Sequence, residues 1–327
     1  MKFGMTLNAA RGADSVMAEA RQADAQGFDS VWLFDHLTSF RAGTPNRPNE
    51  PLETWTLAAA IGGATSRVRL GFAMLNTTFR YPAVLAKMIT TLDQVTRGRV
   101  ICSVGAGWLE SEYKAYDLPF IADHDARIGY AREVIQLFKE LWTHPAPALT
   151  TFTGKHLKTH ELPFNPEPFQ KPHPPIWIGG DSPEILESVK ELADGWIMLR
   201  PPMSRAELAK IIEAPGWPRR PMTVVFSFAT VLVAETRDEA LGLARAAFEA
   251  APPPSARAGT QAPSFEEFVG NPRALIGTPE EIAARIREVE SWGYNYMRVG
   301  FSSAGLQERF ARRVLPLVAD RETAATR

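Results

Sequence analysis

One cysteine, Cys102, stands among 327 residues. A lone thiol excludes an intrachain disulfide framework and any zinc or iron–sulfur centre that needs several cysteines from one chain, so the expected compartment is cytoplasmic. A basic excess is missing as well: 36 Lys plus Arg face 37 Asp plus Glu, a formal net charge of −1. General binders of nucleic acid or anionic membrane surfaces carry a positive field, and neither partner is expected here. No apolar run approaches the roughly 18 residues of a membrane-spanning helix, and residues 1–7 lack the apolar core of a signal peptide. Histidine is scarce, at six. The one four-residue spacing, His156 to His160 with Glu161 following, lies between Gly154 and Pro163 and reads as a hairpin, so no metal site is expected. Cys102 sits inside an apolar run and reads as inert packing.

Turn punctuation, by contrast, is abundant. There are 23 glycines and 26 prolines beside 8 tryptophans and 18 phenylalanines, an aromatic content that disordered chains lack. Short β-rich runs at 2–7, 30–34, 68–75, 100–104, 175–178, 195–199, 223–233 and 296–299 mostly lack polar alternation, as strands buried on both faces do. Between them, helical periodicity marks 15–25, 54–64, 82–95, 125–142, 183–192, 204–213, 238–249 and 279–292. Ser182-Pro183 and Thr278-Pro279 place a capping hydroxyl before a first-turn proline, and Thr278, Thr236 and Ser204 each precede a glutamate at capping-box spacing. Eight strands alternating with helices predict a (β/α)8 TIM barrel, with a doubly wound open sheet as the rival. The whole chain, 1–327, reads as one barrel domain interrupted by two insertion loops, a proline-dense one at 150–175 and another at 251–272 that serves as lid or spacer.

In a barrel, chemistry collects where strands end. The second strand ends in Asp35-His36, a carboxylate and a titratable imidazole, readable as a catalytic pair or as a loop cap beside a structural histidine. The third ends through Ala73, Met74, Asn76 and Thr77, suited to a flat ligand close to backbone or simply to a turn. The fourth ends Gly105-Ala106-Gly107-Trp108, with Glu110 and Glu112 beyond. Its glycines allow close approach, Trp108 can stack and a carboxylate can exchange protons, while early acids are also ordinary helix-start residues. The fifth ends Gly179-Gly180-Asp181-Ser182 before a fresh helix, either an anion cradle with Asp181 turned aside or a plain strand–helix turn.

Taken in order, these pieces resemble the bacterial luciferase-like superfamily of flavin- and deazaflavin-dependent oxidoreductases. The resemblance is carried by Gly27-Phe28-Asp29-Ser30-Val31-Trp32 with Asp35-His36-Leu37, Glu53-Thr54-Trp55-Thr56, Phe79-Arg80-Tyr81-Pro82, Gly105-Ala106-Gly107-Trp108, Pro175-Ile176-Trp177-Ile178-Gly179-Gly180, Ala193-Asp194-Gly195-Trp196 and Ile276-Gly277-Thr278-Pro279. It implies a (β/α)8 barrel binding F420 or FMN at the strand C-termini. The ring would lie near Asp35, Ala73, Met74, Asn76 and Gly105 to Trp108, with a non-prolyl cis peptide at Ala73-Met74 and cofactor phosphate at Gly179, Gly180 and Ser182.

The pattern looks most like the F420 branch, in which hydride passes to or from a small organic substrate while His36, Asp35 and Glu110 act on it. In one respect the chain departs from that branch's sugar-phosphate dehydrogenases: Trp108 stands where they carry a proton-donating glutamate, which speaks against sugar-phosphate oxidation. The alternatives are an FMNH2-dependent monooxygenase fed by a separate flavin reductase, a silent cofactor-binding relative and, more remotely, a metal-dependent hydrolase. The resemblance also implies a homodimer. Pocket walls are expected from 37–51, 108–120 and the two insertions.

Overall fold

The computed structural model describes residues 1–38, 50–144, 147–250 and 263–319. Its strands are β1 (Lys2–Thr6), β2 (Ser30–Leu33), β3 (Arg69–Phe72), β4 (Leu75–Asn76) and β5 (Cys102–Gly105), then β6 (Leu149–Thr150) and β7 (Leu162–Pro163). There follow β8 (Ile176–Gly179), β9 (Gly195–Ile197), β10 (Thr223–Ser227), β11 (Thr230–Val233), β12 (Ala274–Gly277) and β13 (Tyr296–Gly300).

Nine of them form one parallel sheet in the order β3-β2-β1-β13-β10-β9-β8-β5-β4. Its two ends, β3 and β4, are halves of a single stave, and a bridge between Leu70 and Val100 brings the sheet back on itself. The result is an eight-stave barrel with helices outside, and the open-sheet alternative is excluded by that closure.

Two expected strands are each broken. The run 68–75 splits into β3 and β4 around Ala73 and Met74, whose peptide bond is cis. The run 223–233 splits after Ser227: Phe228 donates its N–H to Arg298 O and Ala229 to Arg273 O, and the chain leaves the barrel. β11 then pairs in parallel with β12, a strand that the sequence reading lacks. Leu232, Ala234 and Ile276 there join Ala240 and Ala244 of the helix Arg237–Ala250 in a satellite core. The 150–175 insertion opens as the expected hairpin, with β6 antiparallel to β7. Of 251–272, residues 251–262 lie outside the described set, and the remainder holds a short helix, Phe265–Val269.

Inside the barrel, Trp32, Trp177 and Tyr296 meet with ring centroids 5.1–6.2 Å apart, joined by Ile101, Ile197 and Val225. Neighbouring strands make room by omission. A Cβ on Gly4 or Gly71 would fall within 2.6 Å of the Trp32 indole, and one on Gly195 within 2.7 Å of Trp177. Truncating one such indole to alanine costs about 3–5 kcal/mol. The larger core lies between staves and helices, where β-branched and aromatic residues of the strands meet the apolar faces of the helices. Helix starts follow the sequence signals: Thr278 and Glu281 form a reciprocal capping box, and Ser182 and Ser204 cap their helices. The staves run parallel, so the C-terminal ends of β2, β4, β5, β8 and β9 open on the same mouth.

Candidate active site

The mouth holds a cavity of about 630 Å³. Along one side its wall is largely backbone and small residues: Ala73, Met74 and Asn76 from the broken stave, Gly105, Ala106 and Gly107 after β5, and Gly179 and Gly180 after β8. Side chains on its glycines would collide with their neighbours. A Cβ on Gly179 would sit 2.0 Å from the Met74 sulfur, and Gly107, at φ +76°, would drive one to 2.2 Å from the Tyr113 hydroxyl. Arg127 pins this segment by donating from Nε to Gly107 O at 3.0 Å.

Asp35 lies beneath that wall, 3% exposed. Its Oδ2 accepts the Asn76 N–H at 2.9 Å, and Arg80 grips both oxygens at 2.8 and 3.1 Å. Arg80 also reaches Glu53, the residue that caps the helix Thr54–Ala64 by accepting from the N–H groups of Trp55 and Thr56. Burial pushes the Arg80 guanidinium down, but its two carboxylates outweigh that and hold it above its ordinary value. The Asn76 side-chain oxygen accepts from Thr78 N, Thr78 Oγ1 and Tyr113 Oη, so the broken stave is fixed on both sides of its backbone.

Facing the cavity from the end of β2 is His36. Its Nδ1 lies 3.0 Å from Glu112 Oε2, while Glu112 Oε1 accepts the N–H groups of Leu37 and Thr38. Burial pushes the Glu112 carboxyl up, yet His36 and the two amides pull harder and hold it below the ordinary carboxylate value. An ionised Glu112 makes Nδ1 the protonated ring nitrogen. Trp108, half exposed, stands edge-on to the imidazole with ring centroids 6.3 Å apart.

Asp35, His36, Ala73, Met74, Asn76, Gly105, Ala106, Gly107, Trp108, Gly179 and Gly180 thus converge on one cavity. Ser182 stands just behind it, its Oγ accepting from Ile185 N at the helix start. Asp181, expected to turn aside, accepts from the N–H groups of Leu199 and Arg200 and still lines the cavity. Glu110 lies elsewhere: it is exposed, paired with Lys114 at 3.0 Å, and is not among the lining residues. Cys102 is buried, and burial pushes its thiol up. Of the expected walls, 39–49 lies outside the described residues. Arg80 and Arg127 carried no expected role, because only their distant partners reveal them.

A family model for luciferase-like monooxygenases matches residues 1–296. The chain belongs to that family. This luciferase-like enzyme is 28% identical to an FMNH2-dependent dimethylsulfone monooxygenase of Pseudomonas putida, across 93% of its own length and 87% of the relative's. It is 32% identical to an F420-dependent glucose-6-phosphate dehydrogenase of Kineococcus radiotolerans, a match covering 60% of this chain and 56% of that one. Among solved structures, the monooxygenase RslO1 from Streptomyces bottropensis superposes with a TM-score of 0.75 at 23% identity, over 97% of this chain and 99% of the other. The fold is therefore the luciferase-like TIM barrel, and the enzyme is an oxidoreductase whose relatives use either F420 or FMN. Among the described residues no helix is long and apolar enough to cross a membrane.

Proposed function

We propose that this oxidoreductase transfers hydride between coenzyme F420 and a small organic substrate at the barrel mouth. The observation that carries the proposal is the pairing of a glycine-lined backbone wall with a His36–Glu112 couple on one cavity of about 630 Å³. That wall suits a flat ring, because Gly105, Gly107, Gly179 and Gly180 with Ala73 and Ala106 leave backbone and small groups facing the cavity. Ala73, Met74, Asn76 and Gly105 to Trp108 would hold the ring. Gly179, Gly180 and Ser182 would take its phosphate at the start of the helix Pro183–Leu192. F420 supplies a hydride donor or acceptor that no side chain provides.

His36 holds or moves a proton at Nε2, polarising a carbonyl, imine or similar acceptor, and Glu112 is the positioning residue that fixes its tautomer. Asp35 orients the wall through Asn76 and Arg80. A second reading, an FMNH2-dependent monooxygenase served by a separate flavin reductase, is favoured by the match to the dimethylsulfone monooxygenase over nearly the whole chain. The proposal extends to one barrel domain over 1–327, cytoplasmic and homodimeric. Tyr81, Val84 and Val95, on or beside the helix Pro82–Thr96, are exposed apolar residues suited to a partner copy.

Titration of the purified protein with F420 and FMN, each oxidised and reduced, tests the cofactor. Saturable F420 binding tighter than FMNH2 binding is expected, whereas submicromolar FMNH2 binding without F420 binding overturns it. His36→Ala is expected to lower turnover by about 10²–10⁴-fold with cofactor affinity retained. Light scattering reports the dimer.

A further inference from the structure

Across the mouth from the glycine wall, the barrel lining changes character. β10 and β13 are neighbours, with Val225 opposite Tyr296 and Ser227 opposite Arg298. Val225 and Tyr296 belong to the interior cluster, and side chains alternate along a strand. Ser227 and Arg298 are therefore the next inward pair, one layer nearer the mouth. Both are buried, at 3% and 9% exposure.

The Arg298 guanidinium carbon lies 5.9 Å from the centre of the Trp32 ring and 5.7 Å from that of Phe34, and Phe34 lines the cavity beside His36. Two atoms of the pair, Arg298 Nη1 and Ser227 Oγ, are buried without a hydrogen-bond partner among the described residues. Neither arginine of this corner has a carboxylate in ion-pair range among the described residues. Arg273, the second cation, donates from Nε to Ser227 O and from Nη1 to Leu199 O. Burial, with the like charge of Arg273, pushes Arg298 down to about 10, a value that still leaves it charged at neutral pH.

Burying a guanidinium without a counter-ion costs more than its contacts with aromatic faces return. An apolar side chain would fill the same layer without that cost. The charge makes sense only with a ligand that answers it. We infer that Arg298, with Ser227 and Arg273 beside it, binds an anionic head group of the organic substrate, a carboxylate, sulfonate or phosphate monoester. The substrate's uncharged reacting end is then directed at His36. This assignment rests on the proposed cofactor position for its orientation: β13 stands across the ring of staves from β5, so the cation faces the cofactor wall rather than the phosphate cradle.

The test uses the cofactor-free protein with hexanoate, hexane-1-sulfonate, hexyl phosphate, hexan-1-ol and inorganic phosphate. Tryptophan fluorescence, sensitive at Trp32, and thermal unfolding are followed for wild type, Arg298→Gln and Ser227→Ala. At least one alkyl anion is expected to bind wild type tenfold or more tighter than hexan-1-ol and inorganic phosphate do. Arg298→Gln is expected to weaken that anion tenfold or more with the Tm held or raised, and Ser227→Ala to weaken it two- to fivefold. Hexan-1-ol or inorganic phosphate binding as tightly as the best alkyl anion overturns the inference. So does an Arg298→Gln variant with wild-type anion affinity. Should Arg298→Gln not fold, the ligand preference of wild type and the Ser227→Ala result decide. F420 and FMN titrations run separately on wild type, so loss of the cofactor reading leaves a distinct signature.

Discussion

Asp35 and Arg80 are predicted to act as one unit, and a double-mutant cycle measures it. Their side chains are 1% and 13% exposed and share two hydrogen bonds of 2.8 and 3.1 Å. Asp35→Asn removes one charge but leaves Arg80 with Glu53, which is 40% exposed and screened, so its cost falls near about 3 kcal/mol, the low end for breaking a buried pair. Arg80→Gln leaves the Asp35 carboxylate buried against the Asn76 amide without its cation, and about 4 kcal/mol is expected. The double variant has no uncompensated charge between the two positions and should lose no more than the worse single. The expected coupling is therefore about 3 kcal/mol. Unfolding entropy of roughly 2.1 cal/mol/K per residue makes 1 kcal/mol worth about 1.5 °C in a chain of this length. Each single should lower the Tm by about 4–6 °C, and the double by about the same. A double variant whose Tm falls by the two losses together would refute the shared pair. Cofactor affinity in Asp35→Asn, expected to drop because Asn76 loses its anchor, is read from the same protein.

Glu112→Gln should destabilise the protein at neutral pH by about 1–3 kcal/mol, and the difference should shrink in acid. The folded carboxyl lies below its ordinary value of 4.5, so its contribution is full above that value and lost as pH falls through the lower folded one. Tm measured from pH 7 to 3.5 checks this, and a gap that widens in acid contradicts it. Gly107→Ala places a methyl against the Tyr113 hydroxyl at a φ of +76°, and cofactor titration should show at least tenfold weaker binding. Glu110→Gln, at an exposed position paired with Lys114, should keep turnover within twofold; a larger loss would return Glu110 to the chemistry.

The staves and their helices were legible because each apolar run is bounded by turn residues, and strand ends in a barrel share one mouth. Of the two breaks, only the cis peptide at Ala73-Met74 was foreshadowed, and by the resemblance rather than by any local signal. Phe72 to Leu75 and Phe228 to Thr230 hold no glycine, proline, asparagine or aspartate, and the second redirection depends on Arg298 O and Arg273 O, which lie far along the chain. The same limit governs the site. Asp35, His36 and the glycines announce themselves by position, whereas Arg80 acquires meaning from a carboxylate 45 residues away and Glu112 from an imidazole 76 residues away. Glu110 and Glu112 show how local geometry decides between equals. Two residues apart on a helix lie about 200° around its axis, so when Glu112 turns inward to His36, Glu110 must face solvent.

Charge around the mouth is arranged in two ways that the overall balance of −1 conceals. On the proposed cofactor side, Asp35, Arg80 and Glu53 form a linked set, and Glu112 is matched by His36 and two amides. Those groups are engaged with one another and serve to hold backbone in place. At the β10–β13 corner, Arg298 has no carboxylate in ion-pair range among the described residues, and Arg273 donates to the carbonyl oxygens of Ser227 and Leu199. A cofactor that carries its own phosphate would compete for such cations if they stood beside the glycine cradle. Placing Arg298 across the barrel separates the two anions, and the distance between that arginine and His36 then sets how long a substrate must be. Shortening the probe alkyl chain should accordingly weaken turnover before it weakens anion binding, because head-group capture and presentation to His36 belong to different ends of the molecule.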